Sequence, residues 1–173
     1  MTSSPAVALD KYLSRLTPGD RAAARKALPV ALLDQTEAAH ADVDNLVRMV
    51  GRSMESSVAD LDYTQVPEWV RLSVTDTLVS FMTGTVATCM HNPNPNHPQP
   101  VFAAAWKPGL ITCAACLHLF KVVGAADRTC DRCGVVRAGT PGEGVHSCTL
   151  TFGQLVFFYG LCPDCLKDHK AAS

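Results

Sequence analysis

The chain has 173 residues, 47% of them hydrophobic and 18% charged, enough to bury a substantial core in one domain or two small ones. Its formal charge of −1 removes the strongest electrostatic ground for a nucleic-acid partner, because phosphate affinity comes mainly from concentrated Lys and Arg. Residues 1–100 carry 8 basic against 11 acidic side chains and residues 101–173 carry 7 against 5, a tilt that a face of ordinary solvated charges explains.

The opening "MTSSPAVALDKYLSRL" has no basic head followed by an apolar run, so it does not read as a secretory signal, and a cytoplasmic location is expected. Thr17, Pro18 and Asp20 have the order of an N-cap, a proline at the first helical position and an acid in the first turn, which predicts a helix through "DRAAARKAL" up to about Pro29. From Val30 to about Val50, the residues Leu32, Leu33, Thr36, Ala39, Val43, Leu46, Val47 and Val50 recur at three- and four-residue spacing. That is one long amphipathic helix, with Gly51 as its stop. A further helix is expected from near Pro67 to Gly84, offering Trp69, Leu72 and Leu78 to a core. Single apolar stripes need partners, so residues 1–86 are expected to form a small helical bundle, a dimerisation surface, or both.

The composition changes at Cys89. No cysteine precedes it, and eight fall within residues 89–165. The stretch "HNPNPNHPQP" at 91–100 alternates Pro with Asn and reads as loop. "VFAAAW" and "GLIT" are short strand candidates around the turn Lys107-Pro108-Gly109. In "CTLTFGQLVFFY", Gly153-Gln154 suits a two-residue type II′ hairpin turn. Pairing outward from it sets Phe152 opposite Leu155, Leu150 opposite Phe157 and Cys148 opposite Tyr159 on one core-facing side, with Cys148 as a small buried hydrophobe. The uncharged run 147–163 alternates and contains Gly and Gln, so it is not a membrane span.

"CDRCG" puts Cys130 and Cys133 in a tight knuckle whose Gly lets the backbone fold back. In "GLCPDCLKDHK", Pro163 and Asp164 sit where a helix begins, so Cys162 and Cys165 lie at its first turn, where amides favour thiolates. Close thiol pairs without an export signal favour a metal over a disulfide framework. Knuckle, hairpin and cysteine-led helix together resemble the treble-clef zinc finger, and the resemblance implies a closed structural site of four sulfurs around zinc. Cys-x-x-Cys-Gly, a gap of 28 residues and Cys-Pro-x-Cys are also similar to the rubredoxin iron site. Rubredoxins, however, place Gly after the last Cys, where this chain has Leu166.

The stretch 108–121, "PGLITCAACLHLFK", echoes 159–170, so Cys113 and Cys116 need two partners as well. The candidates are Cys89 and His91, with His97 in reserve. A competing pairing joins Cys113 and Cys116 to Cys130 and Cys133 across a gap of 13, and leaves Cys162 and Cys165 to find Cys148, His146 or the Cys89 pair. The sequential arrangement uses all three Cys-x-x-Cys pairs and leaves Cys148 spare, so two zinc ions are expected. Arg128, Arg132, Arg137 and Lys167 flank the Cys130 site and are expected to offset its negative charge, with phosphate binding as the competing role; His118 and His169 fall in the helices that follow the knuckles, as surface or capping residues or as replacements for a Cys at their site.

The expected fold class is therefore α+β: a helical region over 1–86, then a zinc-stabilised hairpin and helix domain of treble-clef type over 87–173. The expected function is a non-enzymatic zinc-binding adaptor or regulator that works through protein contacts or self-association. The alternative is a DNA- or RNA-binding zinc finger, which would need a basic stripe with interleaved aromatics; Phe152, Phe157, Phe158 and Tyr159 read as hairpin core instead. Catalysis has little to work with, since a closed site gives no water position and the zinc-deaminase pattern His-x-Glu is absent. The HNH nucleases share the treble clef and the Leu-Cys-x-x-Cys segment, which would make His146 a general base. Yet Val145 stands where that family usually has Asp, no Asn lies between Gly134 and Leu161, and Leu166 stands where His is common.

Overall fold

The computed structural model describes residues 4–53, 63–138 and 144–172, with the side chains of 50–53 and 170–172 excepted, so Val50 falls outside the described side chains. The helices are α1 (Pro5–Leu13), α2 (Pro18–Ala27), α3 (Val30–Ser53), α4 (Glu68–Met82) and α5 (Pro163–Ala172). The strands are β1 (Ala87–Thr88), β2 (Val101–Ala104), β3 (Leu110–Ile111), β4 (His146–Phe152) and β5 (Leu155–Leu161). At the start of α2 the Thr17 hydroxyl accepts the Asp20 amide and the Asp20 carboxylate accepts the Thr17 amide, a reciprocal capping box. Helix α3 runs past Gly51 to Ser53, two residues beyond the expected stop. Helix α1 was not anticipated from the pattern, because its inward side is a small residue and a charged one, Ala6 and Asp10.

The turn at Gly153-Gln154 has φ of +59° at Gly153 and no positive φ at Gln154, as a type II′ turn requires. The register follows from it: Phe152 faces Leu155, Leu150 faces Phe157 and Cys148 faces Tyr159. Strand β5 also pairs in parallel with β2, Val101 against Leu155 through Ala104 against Phe158. The β1–β3 pair is parallel, and mutual backbone hydrogen bonds between Phe102 and Thr112 (2.9 and 3.0 Å) join β3 to β2. The strands thus form a two-stranded sheet, β1-β3, and a three-stranded sheet, β2-β5-β4, joined by that bridge, with β5 in an interior position.

That position corrects the one-sided reading of the hairpin. Leu155, Val156, Phe157, Tyr159 and Leu161 are all buried, because β5 is covered on both faces. One face carries Val101, Ala103, Leu155, Phe157, Tyr159 and Leu161 and packs on Val66 and on Val70, Val74 and Phe81 of α4. The other carries Phe102, Ala104, Val156 and Phe158 and packs on Val43, Leu46 and Val47 of α3. The stripes of α3 and α4 therefore find the sheet. Trp69, Leu72 and Leu78 are all half-buried; Trp69 and Leu78 pack at the margin of the core, with the Trp69 ring edge-on to Tyr159 at 5.6 Å. Cys148, expected to be buried, is half-buried because β4 is an outer strand.

Helix α1 is fastened to α4 by a buried polar cluster. The Tyr63 hydroxyl donates to Asp10 Oδ1 at 2.8 Å, Arg71 Nε donates to the same oxygen at 2.9 Å, and Arg71 Nη1 donates to the Val66 carbonyl at 2.8 Å. No helix among the described residues is long and apolar enough to cross a membrane.

Candidate metal centres

The chain brings seven of its eight cysteines together with one histidine in two groups, Cys89, His91, Cys113 and Cys116 in one, Cys130, Cys133, Cys162 and Cys165 in the other. Within each, the four donor atoms lie within 4.8 Å of one another. Among the described residues His97, His118, His146, His169 and Cys148 belong to neither group, and the Cys113–Cys130 pairing is not formed.

The Cys130 group is built on a knuckle. Cys130 N donates to Val135 O at 3.0 Å and Gly134 N to Cys130 O at 2.8 Å, with Gly134 at φ +72°, a left-handed conformation that favours glycine. Asp131 ties this loop to β5: its amide donates to Gly160 O at 2.9 Å and its carboxylate accepts the Gly160 amide at 2.5 Å. Burial pushes the Asp131 carboxyl above its usual range, and the Gly160 amide opposes that. Leu161 then leads directly into Cys162, which immediately precedes α5, with Cys165 in the first turn.

The Cys89 group is an echo with a difference. Cys89 directly follows β1 and Cys113 follows β3, its paired strand, after one intervening residue, with Cys89 N donating to Ile111 O at 3.2 Å and Cys113 N donating to Cys89 Sγ at 3.4 Å. The segment after Cys113 is a pair of 3-10 turns (Ala114–Phe120) kinked at Cys116, not the expected copy of α5. Its end is held from outside, because Trp106 Nε1 donates to Phe120 O at 2.9 Å and Lys107 Nζ to Leu119 O at 2.6 Å. His91 points Nδ1 at Cys116 Sγ (3.2 Å) and Cys113 Sγ (3.4 Å).

The sulfur spacings, 3.8 Å for Cys89–Cys113 and 3.9 Å for Cys133–Cys162, far exceed a disulfide bond of about 2.05 Å. They match the edge of about 3.8 Å that a tetrahedron with metal–sulfur distances near 2.3 Å would have. The thiols also divide electrostatically. The Cys165 amide holds Cys162 down to about 6 against the effect of burial, with help from the Arg137 guanidinium. Burial, and then the neighbouring sulfurs, push Cys165 up to about 12 and Cys116 up to about 11. For Cys89, burial is outweighed by the Cys113 and His91 amides, giving about 7. Three or four sulfurs this close resist ionising together unless a cation compensates them, and both groups could hold a metal ion.

Gly160 is where the knuckle approaches the sheet, and a Cβ there would lie 2.6 Å from Val145 Cγ1 and 3.4 Å from Asp131 Oδ2. Gly160→Ala is expected to cost about 1–3 kcal/mol of stability, as overpacking does. Adding Val145→Ala should restore much of it in thermal melts; no recovery would place the strain elsewhere.

Comparisons with protein-family models, with curated proteins and with solved structures give no match for this chain.

Proposed function

We propose that both groups are structural zinc sites and that the chain is a non-enzymatic adaptor or regulator acting through protein contacts. The observation that carries this reading is the completeness of the donor sets: each has four soft or borderline ligands supplied by the protein, four cysteines in one and three cysteines with a histidine in the other. That is the composition of closed structural zinc sites, whereas a catalytic site keeps a position open for water. Thiolate-rich sets select zinc or iron over hard cations, and α5 with Leu166 after Cys165 favours the treble-clef comparison over rubredoxin.

Surface charge supports a protein partner over nucleic acid. Near the Cys130 group, Arg132 is engaged by Asp168 at 3.0 Å, and Arg137 is engaged by both Asp164 and Cys162. Two of the three guanidiniums that could meet phosphates there already meet carboxylates, one of them a thiol as well, and the third, Arg128, donates to the Gly124 carbonyl.

Protein purified without added metal should contain two zinc ions per chain by elemental analysis, and mixed DNA or RNA should show no salt-sensitive binding. One zinc, or iron with visible colour, would overturn the two-site reading. Affinity for nucleic acid that falls steeply with salt would overturn the choice of partner.

A further inference from the structure

The three-stranded sheet has two outer strands, and they differ. Strand β2 is bridged on its far side to Thr112, whereas β4, with seven residues, His146–Phe152, has no further strand beside it among the described residues. The hairpin register fixes which backbone groups of β4 are used. The residues next to the two-residue turn form a hydrogen-bonded pair, and alternation assigns the same role to Leu150–Phe157 and Cys148–Tyr159. Consistently, the Gln154 and Phe158 carbonyls of the neighbouring strand point the other way, towards Val101 and Ala105. The N–H and C=O groups of Ser147, Thr149 and Thr151 therefore face outward, and all three residues are exposed. Among the described residues no backbone hydrogen bond from another segment reaches them.

Long outer strands are ordinarily blunted by lysine, proline or a bulge, to keep other chains from pairing with them. Strand β4 has none of these: "HSCTLTF" contains no Asp, Glu, Lys, Arg or Pro, and its ladder with β5 is unbroken. Its order is also palindromic about Thr149. Hydroxyls stand at 147, 149 and 151, and apolar side chains at 148 and 150. An antiparallel copy centred on Thr149 sets Thr149 against Thr149, Ser147 against Thr151, and Cys148 against Leu150.

We infer that the β4 edge is a self-association surface, on which β4 of a second copy of this chain pairs antiparallel across a twofold axis at Thr149. Three hydrogen-bonded pairs form, each exchanging two backbone bonds, and hydroxyl pairs opposite one another add to them. The patch is self-complementary, as a closed twofold dimer requires. A net charge of −1 per chain leaves little repulsion between copies. The half-buried Leu150 and Phe152, already packed on the core from one side, are covered further. This surface deepens the adaptor reading and rests on it.

The test is sedimentation of the metal-loaded full chain over a concentration series. The wild type should move towards twice its 18.5 kDa mass. Thr149→Lys and Thr149→Glu each set like charges against each other on the axis and should weaken association about tenfold or more. Mixing the two variants sets Lys against Glu and should restore it, an outcome that loss of fold cannot imitate. A wild type that stays monomeric, charge variants that dimerise undiminished, or a mixture that stays monomeric would each overturn the pairing. A monomer that also ignores nucleic acid removes the pairing alone. A dimer that binds nucleic acid with a steep salt dependence removes the adaptor reading and keeps the pairing.

Discussion

Replacing Cys162 with serine is expected to lower bound metal from two ions per chain to one and to unfold the knuckle and α5. Cys162 is 1% exposed, immediately precedes α5, and is held toward the thiolate by the Cys165 amide and by Arg137. Structural zinc supplies about 10–16 kcal/mol of apparent binding energy in small modules, as much as the whole stability of a typical domain, about 5–15 kcal/mol. The loss should therefore appear as a missing or strongly lowered melting transition, not as a small shift. Cys148→Ser is the matched control, because Cys148 lies outside both groups; it should keep two ions and a near-native melt. A Cys162→Ser protein that retained both ions would show that Cys162 is not a ligand.

Asp10→Ala should be the most damaging single change away from the metal centres. It removes the carboxylate that Tyr63 and Arg71 share and leaves a largely buried guanidinium with the Val66 carbonyl and the face of the Tyr63 ring. The Arg71 and Asp10 side chains are only 18% and 12% exposed, so the pair is not a solvent-screened surface bridge. Breaking a buried pair from one side typically costs about 3–5 kcal/mol. Urea unfolding should show stability falling by that amount, and Arg71→Met added to Asp10→Ala should recover part of it by removing the stranded charge. A cost below about 1 kcal/mol would mean that water reaches the cluster.

Much of this was legible beforehand, for identifiable reasons. Thr17 and Asp20 specify a helix start through local hydrogen bonds, so no tertiary information was needed. The Gly153-Gln154 turn fixed its own register for the same reason, and cysteine spacing favoured, over a competing pairing, the two donor groups that the structure brings together. What escaped was decided at long range. That β5 lies inside the sheet depends on β2, a partner far upstream, so alternation near the turn could suggest only one covered face. Helix α1 was missed because Asp10 faces inward, and a charged residue reads as an outward position until Tyr63 and Arg71 are known to receive it. The echo between 108–121 and 159–170 matched cysteines but not backbone, since nothing in the spacing revealed the kink at Cys116.

The parallel pairing of β2 with β5 has a consequence for how the chain acquires its shape. Val101 meets Leu155, 54 positions later, so that contact closes only after all the intervening residues have been made. At a synthesis rate of about 5–20 residues per second, that gap leaves β2 waiting about 3–10 s for its neighbour. The stretch from Cys89 to Cys116 emerges first and holds a full donor set, together with the bonds that link Phe102 to Thr112. Metal uptake there would clip β1, β3 and one side of β2 in place on the ribosome. The slow, high-contact-order step is left to β5, and with it the second metal centre.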